Sequence, residues 1–291
     1  MNQPLDWWQK ARALWKGGTT DGENTGGPAA LPPPPYRLNL GCGARFHSDW
    51  INLDVAPQSP EVQRHDLREP LPFPDATCTT VYCSHVLEHF SRIGALLFLG
   101  ECERVLCPGG VLRVVVPDLE TIARLYLQNL DAALTGDTAA ERRHKWMTLE
   151  LIDQMVREES GGEMLKYWRQ NPMPAEEFVL ERMGAEVRGV LRQIRQQPPS
   201  QPQPNGPPTE TTDPVVVAQF RDSGEVHKWM YDRLSLDRLL RDCGFTEVKV
   251  CRADESRIPD LNIYHLDIDE HGAVRKPDSL FMEGVKPPTR S

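Results

Sequence analysis

The chain has 291 residues, of which 39% are hydrophobic and 26 are proline, enough to bury one generous core or two small ones while leaving part of it unpacked. A net charge of −9 excludes a broad phosphate-binding surface, because binding driven by counterion release needs clustered Lys and Arg; nucleic acid is not expected as a partner, and only a local basic pocket stays open. The seven cysteines (Cys42, Cys78, Cys83, Cys102, Cys107, Cys243 and Cys251) form no CxxC pair and mostly sit in apolar runs, as the buried thiols of a reducing compartment do. The first residues lack the apolar core of a signal peptide and no run approaches about 18 apolar residues, so a soluble, cytoplasmic protein without a transmembrane segment is expected.

Residues 1–16 read as an amphipathic helix carrying Trp7, Trp8, Leu14 and Trp15, either packed on the domain or making peripheral membrane or partner contact. A Gly/Pro/Thr linker, residues 17–35, separates it from the rest. From Tyr36 onward short β-rich runs appear at 37–41, 51–55, 79–84 and 111–118, the last nearly continuously apolar, as a strand covered on both faces must be. Between the last two, residues 86–107 have helical spacing, with Val86, Phe90, Leu96, Leu97 and Leu99 as core contacts and a stop at Pro108, Gly109 and Gly110. Strand, helix and strand with short links make a right-handed parallel unit. A further amphipathic helix covers 119–134. Residues 131–196 hold polar helices that read as an insertion capping the substrate side, and 197–218 as a disordered Pro-rich loop. A helix over 231–245 with a Gly244 stop, a strand at 246–252 and a final strand at 278–286 close the core, which spans 36–130 and 219–291.

"LNLGCG" places Gly41, Cys42 and Gly43 directly after the first strand, where backbone N–H groups are exposed and no Cβ blocks a ligand. A dinucleotide fingerprint needs a third small residue where Phe46 stands, and its acid about 20 residues on, whereas Asp54 follows Gly43 by 11; NAD is disfavoured. Asp66 and Leu67 fall at the carboxyl end of a short third strand. Ligands collect at the carboxyl ends of strands in such sheets, so Gly41–Gly43, Asp54, Asp66, Ser84 and His85 line one crevice.

With "LNLGCG", "NLD", "HDLREPLPFPD", "YCSHVLEHF", "RVLCPGGVLRVVVPD" and the terminal "CGFTEVKV" and "SLFMEGVK" pair, the chain resembles class I S-adenosylmethionine-dependent methyltransferases of the type 11-like kind over about 36–118 and 225–286. The resemblance implies an α/β fold: a three-layer, doubly wound, mostly parallel seven-stranded sheet with an antiparallel last strand, plus the helical insertion. It implies S-adenosyl-L-methionine as cofactor, with Gly41, Cys42 and Gly43 under its methionine part, Asp54 on the ribose diol, Asp66 on the adenine amino group and the Leu67 N–H on a ring nitrogen. Asn39 and Ser84 complete that set, Asn39 standing where the family often has an acid. Thr79 replaces a frequent Asp, and only about eight or nine residues separate the first two strands, fewer than the dozen of a normal parallel crossover. The chain is most similar to a subgroup with that short link and a Trp before the N-x-D acid, associated with modification of sugars and other small polar acceptors.

His85, Glu88 and His89 also fit the H-x-x-E-H pattern of inverted zinc proteases, a weak match because the pattern begins at a strand end. Val86, Leu87 and Phe90 would face the core, while His85 and Glu88 point to the crevice mouth. In an active site His85 is the first choice of proton acceptor for a hydroxyl substrate and His89 the second. The methyltransferases of ubiquinone-ring hydroxyls and of small-RNA 2′-hydroxyls have E-x-x-E-H here, some with a divalent metal. A metal therefore stays open, with His85, Glu88 and His89 as its candidate ligands; two imidazoles and one carboxylate suit zinc or a transition metal better than magnesium. His227 offers a fourth ligand or an independent base, and Trp229 and Tyr231 are either a stacking pair for an acceptor or core. The expected activity is O-methylation of a glycan, glycolipid or small metabolite. The alternative is a non-catalytic methyltransferase-fold scaffold, and RNA methylation is disfavoured by the charge.

Overall fold

A computed structural model describes residues 33–196 and 213–288. The expected amino-terminal helix, most of the linker that follows it and residues 197–212 of the Pro-rich loop lie outside that range. Seven strands form one sheet: β1 (Tyr36–Leu40), β2 (Ile51–Asp54), β3 (Val62–Arg64), β4 (Cys78–Ser84), β5 (Leu106–Pro117), β6 (Thr246–Cys251) and β7 (Ser279–Val285), in the order β3-β2-β1-β4-β5-β7-β6. The first five pair in parallel, and β7 runs antiparallel to both β5 and β6. The expected α/β sheet is present.

The first helix, α1 (Arg92–Val105), is shorter at both ends than its apolar spacing predicts. Ser91 caps it, its Oγ accepting the Gly94 N–H at 3.1 Å, and Leu87–His89 forms only a single 3-10 turn. At the other end Cys107–Gly110 is no helix stop. It is a wide bulge inside β5, where the pairing with β4 jumps from Leu106 to Val111 and Gly109, at φ +79°, donates its N–H to the Lys286 carbonyl.

Alternation along the strands sends Leu38, Leu40, Leu53, Val81, Cys83, Leu112, Val114 and Met282 to one face, where they meet Phe98, Leu99 and Cys102 of α1. Leu236 and Leu240 of α7 (Arg233–Asp242) complete that layer; Asp232 and Ser235 form its capping box. The other face is covered differently. Residues 41–50 are too few for a crossover helix, and Trp50, Tyr82, Val115 and Phe281 pack instead against Ile258, Leu261, Tyr264 and Leu266, from the irregular connection between β6 and β7. Arg113 pins that connection to the sheet. Its Nε donates to Asp267 at 2.7 Å and its Nη1 to Glu283 at 2.8 Å, and Tyr82 donates its hydroxyl to Asp267 at 2.7 Å, all out of solvent, while Nη1 also reaches the Glu255 carbonyl at 2.9 Å.

After β5 come α2 (Leu119–Leu134), α3 (Thr138–Val156), α4 (Gly162–Trp168) and α5 (Glu176–Gln196), packed around Ile122, Trp146, Met147, Tyr167, Val179 and Leu191. Gly184 breaks α5 at φ +68°, and a Cβ there would lie 2.5 Å from the Arg275 carbonyl oxygen, so the break lets α5 sit directly on the 275–277 segment. The loop predicted to be disordered as far as residue 218 gives way earlier to α6 (Pro214–Asp222). Asp213 caps it by accepting the Val215 N–H, and Pro214 at the first helical position has no N–H to leave unpaired. The seven cysteines are unpaired, and among the described residues no helix is long and apolar enough to cross a membrane.

Replacing Arg113 with Ala strands the buried carboxylates of Asp267 and Glu283 without their cation. A loss of about 3–5 kcal/mol of unfolding free energy is expected, read by urea denaturation with far-ultraviolet circular dichroism.

Candidate active site

The carboxyl ends of β1, β2 and β4 open into a cavity of about 460 Å³ lined by Gly41, Asp54, Asp66, Leu67, His85 and His89, among others. Gly41 takes φ +64°, and a Cβ on it would stand 2.4 Å from Val86 Cγ2, so no other residue fits this turn without moving the cavity wall. The Gly41 and Cys42 N–H groups donate to the Leu53 carbonyl, tying the turn to β2. Asp54 is clamped at the strand end, Oδ2 accepting the Gly43 N–H at 2.8 Å and Oδ1 the Ala56 N–H at 2.9 Å. Each oxygen keeps a lone pair, so a diol can still be received. Asp66 is gripped by the Arg68 guanidinium, with contacts of 2.7–3.0 Å, and that pairing holds its carboxyl below the usual range. Val86, Phe90, Leu97 and Phe98 supply an apolar wall, and Asp222 at the end of α6 with Ser223, Gly224 and Lys228 beyond it reach the same cavity.

Four of the predicted cofactor residues do not line it. Asn39 is buried and gives both amide hydrogens to the short crossover, one to the Arg45 carbonyl at 2.8 Å and one to Asn52 Oδ1 at 3.0 Å. Cys42 is buried, and burial, reinforced by the Asp54 charge, pushes its thiol up to about 11. Gly43 is exposed with open space around its Cα, and Ser84 is half-buried at the end of β4.

Behind the cavity lies a polar cluster. His85, at the strand end with φ +55°, places Nε2 2.8 Å from Ser279 Oγ and Nδ1 3.4 Å from Glu88 Oε1. Glu88 is wholly buried, and neither carboxyl oxygen has a hydrogen-bond partner among the described residues; burial pushes it up to about 8, so it is protonated at neutral pH. Its backbone carbonyl is used instead, accepting the Lys228 N–H at 2.7 Å and the Trp229 N–H at 3.2 Å. That docking returns the segment before α7 over the crevice and sets His227 edge-on against His89, ring centroids 4.9 Å apart. His89 Nδ1 lies 3.3 Å from the Val226 carbonyl, and His227 Nε2 lies 3.0 Å from the Gln154 side-chain amide. Burial pushes all three imidazoles down, His85 well below its ordinary value and His227 to about 3, so each is neutral.

Of the predicted chemical residues, His85 and His89 line the cavity. His227 instead borders a second space of about 390 Å³ with Met155, Arg221 and Lys228. The ligand atoms of Glu88, His89 and His227 lie within 4.8 Å of one another; His85 is not in that group. Because His85 and His89 flank a 3-10 turn and not an α-helical ladder, the zinc-protease arrangement has no support. Trp229 lies under the Arg92 guanidinium at 4.9 Å, outside the cavity lining, and Tyr231 belongs to the main core. Ser279, Gln154, Arg68 and the apolar wall escaped sequence reasoning. Only the wall carried a signal, as apolar positions counted toward the core.

Residues 38–114 match the family model described as a methyltransferase domain. The curated proteins give no match to the chain. Among solved structures, a chain of the complex between the Haloferax volcanii Trm112 methyltransferase activator and a methyltransferase is 12% identical, with 96% of this chain and 90% of that one covered and a TM-score of 0.37. A SAM-dependent methyltransferase from Thermotoga maritima is 13% identical over 97% and 89%, with a TM-score of 0.38, and one from Archaeoglobus fulgidus is 11% identical over 98% and 95%, with a TM-score of 0.37. Likenesses this distant bear on neither activity nor acceptor. The family match runs from β1 into β5 and takes in Gly41, Asp54, Asp66 and His85, so the resemblance read in the sequence is borne out there: residues 38–114 match a methyltransferase domain.

Proposed function

We propose that the protein is an S-adenosylmethionine-dependent methyltransferase that methylates a hydroxyl of a glycan, glycolipid or small metabolite. One observation carries this: the Gly41 turn, Asp54, the Asp66–Leu67 corner and His85 converge on a single cavity. The residues fit the cofactor. Gly41 leaves room for backbone approach, Asp54 retains acceptor capacity for a ribose diol, Asp66 and Leu67 present a carboxylate and an N–H for an adenine edge, and Val86, Leu97 and Phe98 offer an apolar bed for the ring. The cofactor supplies an electrophilic methyl on a sulfonium, and the chain must hold a hydroxyl in line with it and remove one proton.

His85 is the proton acceptor in this proposal. Its imidazole is neutral, as a base must be, and Nε2 already meets a hydroxyl, that of Ser279 at 2.8 Å. An acceptor hydroxyl would take that place, or pass its proton through Ser279. Asp222, which ends α6, and Ser223, Gly224 and Lys228, which follow it, edge the cavity and shape acceptor choice together with the helical insertion. Asn39 has no part in it, its amide being committed to the crossover.

Calorimetry with S-adenosylmethionine and with its demethylated product is expected to give micromolar binding of both, and Asp54→Ala to remove it while the fold, checked by circular dichroism, persists. Absence of binding in the wild-type chain would point to a scaffold that kept the fold without the chemistry. His85→Gln is expected to lower kcat by about 10²–10⁴-fold with cofactor affinity unchanged, read with labelled cofactor against a panel of hydroxylated acceptors. Equal loss of both would make His85 part of the binding wall only.

A further inference from the structure

We infer that Glu88, His89 and His227 form a binding site for a divalent zinc-like transition-metal ion that fastens the segment before α7 to the turn after β4. Two independent observations meet here. Glu88 and His89 are neighbours on the turn after β4 and His227 comes from the segment before α7, yet the ligand atoms of all three lie within 4.8 Å of one another. The carboxyl of Glu88 is fully buried and points into that group with both oxygens lacking a hydrogen-bond partner among the described residues, a costly state for a polar group unless something else occupies its lone pairs.

The surroundings suit ligation. The His89 Nδ1–H can donate to the Val226 carbonyl, 3.3 Å away, which fixes the tautomer and leaves Nε2 with its lone pair, the second-sphere arrangement typical of metal-bound imidazole. His227 Nε2 lies 3.0 Å from Gln154 Nε2; with that amide turned to present its oxygen instead, the His227 Nε2–H would donate and Nδ1 would be the nitrogen to offer. Two imidazoles and a carboxylate select zinc and its neighbours over magnesium or calcium. Around a zinc-sized ion the ligand atoms would sit roughly 3.4 Å apart, so loading draws the three together by small side-chain rotations. His89 opens to the main cavity and His227 to the neighbouring one, giving the ion a way in from either side. The field of Lys276 reaches all three ligands and opposes a further cation, and loss of the Glu88 proton on loading supplies a counter-charge. With three protein ligands the ion keeps a position for water or an acceptor oxygen.

The site goes beyond the methyl-transfer proposal, and its test needs no cofactor. Untagged full-length protein is stripped with chelator, titrated with Zn²⁺ against a chelating dye, and loaded with Co²⁺ for visible absorption. One equivalent of tightly held Zn²⁺ is expected, with a rise in thermal midpoint and a ligand-field band from Co²⁺. Glu88→Gln, which matches the shape of the neutral carboxyl, and His227→Gln are each expected to weaken Zn²⁺ by about 100-fold, while His271→Gln on the surface leaves it unchanged. If Glu88 is merely a protonated packing residue, the wild-type chain takes up no stoichiometric metal, or Glu88→Gln binds Zn²⁺ and Co²⁺ as the wild type does; either result overturns the site.

Discussion

The brevity of the link between β1 and β2 organises much of this molecule. Residues 41–50 cannot form the helix that normally covers one face of such a sheet, so that face needs another cover. Trp50 begins it, packing edge-on to Tyr264 with ring centroids 5.4 Å apart, and the long connection from β6 to β7 finishes it. A connection laid over the sheet in this way must end where β7 begins, beside the end of β4. Ser279 is therefore brought to His85, and the 275–277 segment to the break in α5. One missing helix thus explains features at the site and in the insertion alike.

An irregular cover has few periodic apolar contacts, and the Arg113 cluster does what those contacts cannot. Arg113 sits at a sheet-facing position that a hydrophobic residue would fill at no desolvation cost. Its guanidinium donates instead to two carboxylates and to the carbonyls of Arg252, Ala253 and Glu255, and the network is saturated. A saturated buried network adds little net stability over well-packed side chains, but it accepts only one placement of the connection. Conformational specificity is the better account of why a charge lies there.

Local chemistry made the front of the sheet readable. β1, β2 and β4, the glycine turn, Asp54 and Asp66 are set by short-range pattern, and the structure puts them where the pattern did. The start of α1 misled because Val86 and Phe90 continue its apolar spacing, although Ser91 offers a cap and the turn before it is driven by His85 at positive φ. α6 was hidden by neighbouring prolines, yet Asp213–Pro214 is itself a helix-start signal. Asn39 was assigned to the cofactor by position alone, and its neighbours in space, Asn52 and the Arg45 carbonyl, claim it instead. The approach of His227 to His89 was expected from the sequence; what no pattern contained were the other long-range meetings, His85 with Ser279 and Arg113 with Asp267 and Glu283. Each depends on the path of connections whose composition does not encode direction.

The carboxyl groups near the cavity divide by environment. Asp54 receives two backbone N–H groups and Asp66 a guanidinium, so both have partners that stabilise the ionised form. Glu88 receives none and stays protonated, flanked by neutral imidazoles. If His85 accepts the proton of an acceptor hydroxyl, the positive charge lost by the sulfonium reappears on the His85 imidazolium, so the reaction moves charge across the cavity and does not destroy it. Glu88, whose Oε1 lies 3.4 Å from His85 Nδ1, stands beside that new charge as a neutral carboxyl. Burial of Glu88 without donors secures that neutrality by the same low dielectric that makes its lone pairs available to an incoming cation.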